Sequence, residues 1–185
     1  SLRFRSGEFV MIGLPNAEKP VLRSYSVASP AWDDELEFFS IKVPGGPLTE
    51  HLQKIKPGDT VLMRKKPTGT LVLDALIPGR RLYLFSTGTG IAPFRAFLHE
   101  RAASAATGTN WLLFGDQHRA SDFIYADELA EFTEQGVLHR LDLAFSRDPV
   151  LPSQPSFSRN LDMSLSQEFP TLNKESTSSY PTLDA

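Results

Sequence analysis

Leu82-Tyr83-Leu84-Phe85-Ser86-Thr87-Gly88-Thr89-Gly90-Ile91-Ala92-Pro93 is the stretch that decides the fold of this chain. Its first four residues are a short apolar run of strand type, its middle is a glycine turn, and residues 92–103 have the composition of a helix. Strand, glycine turn and helix in that order is the context a dinucleotide-binding turn requires. Glycines let a pyrophosphate approach the backbone, and the helix start supplies the positive end of its dipole. Pro93 stands where the usual fingerprint has its third glycine, so the same residues also read as a plain strand-to-helix connection.

Downstream, residues 111–114 read as a second strand, 125–132 as a second helix and 137–145 as a third strand. Alternating β and α elements imply a parallel sheet with right-handed crossovers. Ser146 and Arg147 then fall at the carboxyl edge of that sheet, where open α/β sheets bind ligands, and a guanidinium beside a hydroxyl suits a phosphate. Beyond Asp148 the periodicity ends. Residues 149–185 are rich in serine, threonine and proline with single scattered apolar residues, a composition expected to stay disordered.

Upstream the pattern is different. Residues 8–66 consist of short runs rich in Val, Ile, Phe and Tyr, broken by Gly, Pro, Asn and Asp, which predicts antiparallel strands near 8–14, 22–29, 35–43 and 60–65. The run 36–43 alternates only in part, as a strand closing a small barrel does, with room for a ligand on one face. Pro47 opens a short helix over 47–55, with Leu48, Leu52 and Ile55 apolar. Gly45-Gly46-Pro47-Leu48-Thr49 leads straight into that helix, where free backbone N–H groups and the Thr49 hydroxyl could meet a phosphate; such starts also occur with nothing bound. Arg23-Ser24-Tyr25-Ser26 lies on a predicted strand, and alone it is an ordinary exposed strand. The change of pattern near 78–81 divides the chain into lobes at 1–78 and 79–148. The first opens directly on a strand, which implies that a preceding strand of that lobe is absent.

Composition narrows the functional classes. A chain of 185 residues, 41% hydrophobic, supports one good core or two small ones that lean on each other. A net charge of -3 excludes a generally basic nucleic-acid binder. Zero cysteines exclude disulfides, thiolate metal sites and cysteine nucleophiles. His51, His99, His118 and His139 show no metal-ligand spacing. No apolar run reaches the roughly 18 residues of a membrane span, so a soluble, cytoplasmic protein is the expectation.

In order and spacing together, these pieces resemble the ferredoxin-NADP reductase family. Residues 2–95, above all Phe9-Val10-Met11-Ile12-Gly13-Leu14, Arg23-Ser24-Tyr25-Ser26-Val27-Ala28-Ser29-Pro30, Gly46-Pro47-Leu48-Thr49 and Lys66-Pro67-Thr68-Gly69-Thr70-Leu71, resemble the bacterial reductases. From Gly88 onward, Asn110-Trp111-Leu112-Leu113-Phe114-Gly115, Asp122-Phe123-Ile124-Tyr125 and the segment ending Ser146-Arg147-Asp148 are more similar to the reductase arm of sulfite reductase and cytochrome P450 reductase.

The resemblance implies a two-lobed fold, an antiparallel FAD-binding β-barrel followed by an incomplete parallel α/β domain for NADP(H). It implies that Arg23 lies at the FAD diphosphate, that Tyr25 stacks on the isoalloxazine, that Ser26 hydrogen-bonds near the reactive flavin nitrogen, and that Ser24 between them is also cofactor-binding. Tyr25 and Ser26 are thus the implied catalytic pair. Phe39, Ser40 and Ile41 would line the flavin and its ribityl chain, and Gly46, Pro47, Leu48 and Thr49 would cradle the pyrophosphate. Gly88, Thr89 and Gly90 would approach NADP, with Ser146 and Arg147 on its 2'-phosphate. The implied reaction is hydride exchange between NADP(H) and FAD in a monomer, coupled to single electrons passed to a ferredoxin or flavodoxin. The family's later tyrosine-bearing helix and Cys-Gly pair do not follow Asp148, which leaves open a flavin-binding remnant without turnover, or a reductase of free flavin.

Overall fold

The computed structural model describes residues 2–15 and 20–149; the segment from residue 150 onward, expected to be disordered, lies outside them. Strand β1 (Phe9–Gly13) is the middle of a three-stranded antiparallel sheet, between β2 (Arg23–Ser26) and β3 (Leu62–Met63). Its partners run from Phe9 opposite Ser26 to Ile12 opposite Arg23. Val10 and Ile12 alternate into the interior, as a half-buried strand requires, and meet Val27, Ala28, Leu48 and Val72 among the buried residues.

The sheet is open, which corrects the expected closed barrel. Residues 35–43, read as the closing strand, pair only at one bridge between Val27 and Phe38. Past Phe38 the run leaves the outer edge of β2, and residues 39–43 turn along the lobe surface without a backbone ladder. The strand expected over 60–65 is limited to Leu62–Met63, which pairs with Gly13 and Ile12 of β1, and Arg64 still donates its backbone N–H to the Met11 carbonyl. Helix α1 (Thr49–Leu52) is shorter than the expected 47–55; buried Leu48 anchors it, and Pro57-Gly58 follows in a turn.

The second sheet follows the reading closely. Strands β4 (Leu82–Thr87), β5 (Asn110–Asp116) and β6 (Arg140–Phe145) are parallel and lie in chain order. Helix α2 (Ile91–Ala103) connects the first pair, and the short α3 (Arg119–Asp122) and α4 (Ala126–Glu134) connect the second. Pro93 sits in the first turn of α2, where its missing N–H has no intrahelical partner to lose. Leu84, Ile91, Phe97, Leu98, Leu112, Phe114, Leu129 and Leu138 pack into one core, each at 0–1% exposure. Burying each such side chain contributes about 1.5–3 kcal/mol before entropy is counted, so this lobe holds the larger share of the apolar stabilisation. The far face of β4 is bare, with Phe85 66% exposed.

Residues Ser1–Asp148 form one compact unit. The two sheets meet where Gly7 approaches the ring of Phe97 and where Leu73 packs on the second core. No helix among the described residues is long and apolar enough to cross a membrane.

Candidate functional site

A cleft of about 380 Å³ opens beside β2. One wall is Arg23, Ser24, Tyr25 and Ser26; a second is Phe39, Ser40 and Ile41; the third is the turn of Gly46, Pro47, Leu48 and Thr49. Three segments separated by many residues of chain, each unremarkable alone, converge on one concavity. Val43 and Ala92 also line it, and neither was singled out from the sequence, because a lone apolar residue in a loop or helix start carries no pattern.

Local chemistry fixes each wall. The Tyr25 hydroxyl lies 3.4 Å from Ser40 Oγ, joining the first two segments. The Gln53 side-chain amide donates to the Ser40 carbonyl at 3.4 Å, bracing the second from α1. Thr49 Oγ1 accepts from the Val43 N–H at 3.3 Å and lies 3.4 Å from the Val43 carbonyl, to which it donates, and so it closes the glycine turn. Gly46 is required there: a Cβ would stand 2.4 Å from Thr49 Oγ1 and 2.9 Å from the Val43 carbonyl oxygen.

The donors facing this cleft suit an anion. Arg23 is exposed and hydrogen-bonds to the Leu22 carbonyl at 3.0 Å, with no carboxylate paired to it among the described residues. The backbone N–H groups of Leu48 and Thr49 bond to no carbonyl there, since the first bonds of α1 begin at Glu50. Tyr25, Phe39, Ile41 and Leu48 supply the apolar surface that a planar aromatic group needs.

Thr89, from the glycine turn of the second lobe, lines the same cleft. Gly88–Gly90 forms a single 3-10 turn between β4 and α2, so Gly88 and Gly90 flank Thr89 without lining the cleft themselves. Ser86 Oγ, at the end of β4, is buried with no hydrogen-bond partner among the described residues. Ser146 and Arg147 are elsewhere. They follow β6 in an exposed turn, with their backbone N–H groups on the Asp116 and Gln117 carbonyls at 2.9 Å, so they lie at the carboxyl edge of the sheet and not in the cleft.

Residues 1–72 match the oxidoreductase FAD-binding domain, and residues 84–150 match the oxidoreductase NAD-binding domain. A flavodoxin/ferredoxin-NADP reductase of Rhodobacter capsulatus is 64% identical over 104 residues, which cover 56% of this chain and 38% of that protein. This chain carries an oxidoreductase FAD-binding domain followed by an oxidoreductase NAD-binding domain. A second kind of relative, the sulfite reductase (NADPH) flavoprotein alpha-component of Mannheimia succiniciproducens, is 54% identical over 67 residues, covering 36% of this chain and 11% of the relative. Both kinds of reductase that the motifs resemble are therefore among the relatives. The solved ferredoxin NADP+ reductase of Neisseria gonorrhoeae, with bound FAD and NADP, is 30% identical and superposes with a TM-score of 0.72 over 83% of this chain and 60% of that one. The chain spans well under two thirds of the length of these curated relatives.

Proposed function

We propose that this chain is an FAD-dependent reductase that moves electrons between NADP(H) and a one-electron carrier of the ferredoxin or flavodoxin kind, working as a cytoplasmic monomer. The observation that carries the reading is the convergence of residues 23–26, 39–41 and 46–49 with Thr89 on one cleft. The carrier class follows the name of the Rhodobacter relative. The division of labour is residues 1–78 for FAD and 79–148 for NADP(H).

The residues fit the group they would hold. Arg23, with the free N–H groups of Leu48 and Thr49, would take the FAD diphosphate, since a guanidinium matches phosphate in charge and geometry. Ser24 would add a hydroxyl to that end, while Gly46 keeps its part of the turn free of a side chain and Pro47 lines the cleft beside it. Tyr25 would stack on the isoalloxazine, and Ser26 would place a hydroxyl beside its reactive edge. Phe39, Ser40 and Ile41 would exclude water from the other side. Bound flavin supplies the conversion between a two-electron hydride and single electrons, which no side chain here can do.

For the nicotinamide cofactor, Gly88, Thr89 and Gly90 would let the backbone approach the pyrophosphate, next to the flavin wall that Thr89 already touches. Ser146 and Arg147, exposed at the carboxyl edge of the same sheet, would take the 2'-phosphate. The test is NADPH-dependent reduction of ferricyanide by the flavin-loaded protein. Turnover above that of free FAD, lost with Arg147→Ala at limiting NADPH, supports the proposal; activity equal to free FAD refutes it.

A further inference from the structure

Relative motion of lobes is the default unless their interface is large and hydrophobic, so a hydride passing between them needs something to hold the gap. Arg95 stands one turn into α2, the helix launched by the glycine turn, with its side chain 13% exposed. Its Nε and Nη2 donate as a fork to the two carboxylate oxygens of Glu128 on α4, at 2.6 and 2.8 Å. Its remaining nitrogen, Nη1, crosses to the first lobe, donating to the Ala28 carbonyl at 2.9 Å and lying 3.1 Å from Glu37 Oε2.

The same first-lobe carboxylate is gripped a second time. The Tyr125 hydroxyl donates to Glu37 Oε1 at 2.6 Å, and the Arg95 guanidinium lies over the Tyr125 ring at 4.9 Å. Tyr125 holds a left-handed backbone, φ 58°, immediately before α4, a conformation costly for an aromatic residue and kept only where surroundings over-determine it. Glu37 in turn is bound to the β2 extension: its carbonyl accepts the Ala28 N–H at 2.9 Å and its N–H donates to Ser29 Oγ at 3.0 Å. Ala28 is two residues past Ser26 on the cleft wall.

We infer that Arg95 is a positioning residue, which with Tyr125 clamps Glu37 and Ala28 and so sets the separation between the Ser26 wall and the Thr89 turn. The inference rests on the reductase reading for its functional meaning, while the clamp itself is a property of the empty protein. Arg95 is bound to Glu128 at its back, so the second lobe presents a rigid, charged anchor and the first lobe presents the part that can let go. Arginine is suited to this because its planar fork serves three partners in fixed directions, which a lysine ammonium cannot do.

The chain contains no cysteine, so a spin label can be placed at will. Lys65→Cys on the first lobe and Glu134→Cys on the second are both exposed, and the label-to-label distance distribution reports lobe separation without any cofactor. Arg95→Ala combined with Tyr125→Phe removes all three cross-lobe contacts, the bond to the Ala28 carbonyl included, while His99 still holds Glu128. The distribution is expected to widen about twofold, the behaviour of lobes released from a polar interface. Arg95→Lys is expected to give an intermediate width. In the flavin-loaded protein the double variant is expected to lose about tenfold in kcat with KM for NADPH within about twofold, because misplacement of about 1 Å costs up to 10²-fold in rate. An unchanged distance distribution in the double variant overturns the clamp, whatever the activity. A wild-type protein that binds no flavin or fails to oxidise NADPH refutes the proposed function instead, and the label distances still decide the clamp.

Discussion

The Tyr25 hydroxyl sits 3.4 Å from Ser40 Oγ, which joins the strand bearing Arg23 to the loop bearing Phe39 and Ile41 and makes them two walls of one cleft. Ring and hydroxyl are separable in their effects. Tyr25→Phe keeps the stacking surface and is expected to hold FAD within about threefold of wild type, one modest hydrogen bond being lost. Tyr25→Ser removes the ring and is expected to weaken FAD by tenfold or more, since stacking on an aromatic side chain is worth about 1–3 kcal/mol. A titration following flavin fluorescence separates the two.

The Arg23 side chain is exposed and bonds to the adjacent Leu22 carbonyl, and the backbone pairing of Arg23 with Ile12 does not depend on it. Arg23→Ala is therefore expected to leave the stability of the flavin-free protein unchanged and to weaken FAD by about tenfold or more, the value of a hydrogen bond to a charged group being about 1.5–3 kcal/mol. Riboflavin, which has no diphosphate, is expected to bind both forms equally. Equal loss for both ligands would remove Arg23 from the diphosphate site.

The parallel sheet was legible because its signal is local and repeated: an apolar run, a glycine turn, then a helix, with strand ends within a few residues of those found for β4 and β5. The barrel was not. Val, Phe and Ile at residues 36–43 announce strand propensity, but a strand exists only where another strand accepts its hydrogen bonds, and this run meets the edge of β2 at a single bridge, Val27 with Phe38. The cleft residues were legible as four short motifs whose meaning came from their combination. The Arg95 clamp was invisible, because Glu37, Arg95, Tyr125 and Glu128 are common residue types related only by folding.

Gly7 brings the first lobe against the ring of Phe97 on α2. At φ +95°, an added Cβ would stand 1.9 Å from the Leu71 carbonyl oxygen and 2.6 Å from Phe97 Cε1. Gly58 has nearly the same backbone, φ +97°, with nothing within 4 Å. Gly58→Ala is expected to cost about 1 kcal/mol from backbone strain alone, and Gly7→Ala about 2–5 kcal/mol because overpacking adds to the strain. Urea denaturation of the two variants measures the difference.

Glu128 is partly buried, which alone pushes its carboxyl up, yet hydrogen bonds from His99 and Arg95 more than offset this and hold it below its ordinary value of 4.5. Glu8 is lowered in the same way against burial, by the backbone and side chain of Arg5. A carboxylate whose folded pKa is depressed stabilises the protein above its unfolded pKa, and that contribution is lost as pH falls through the folded one. Stability is expected to decline as pH drops below about 4.5, and to decline less steeply in Glu128→Gln, as followed by urea midpoints across the acid range.

The account stands on one cleft being a flavin site, and the direct measurement is the absorbance spectrum of the folded protein after incubation with excess FAD and gel filtration. The expected result is a flavin band eluting with the protein at close to one FAD per chain, lost in the Arg23→Ala, Tyr25→Ser double variant. Folded protein that elutes with no flavin would contradict it.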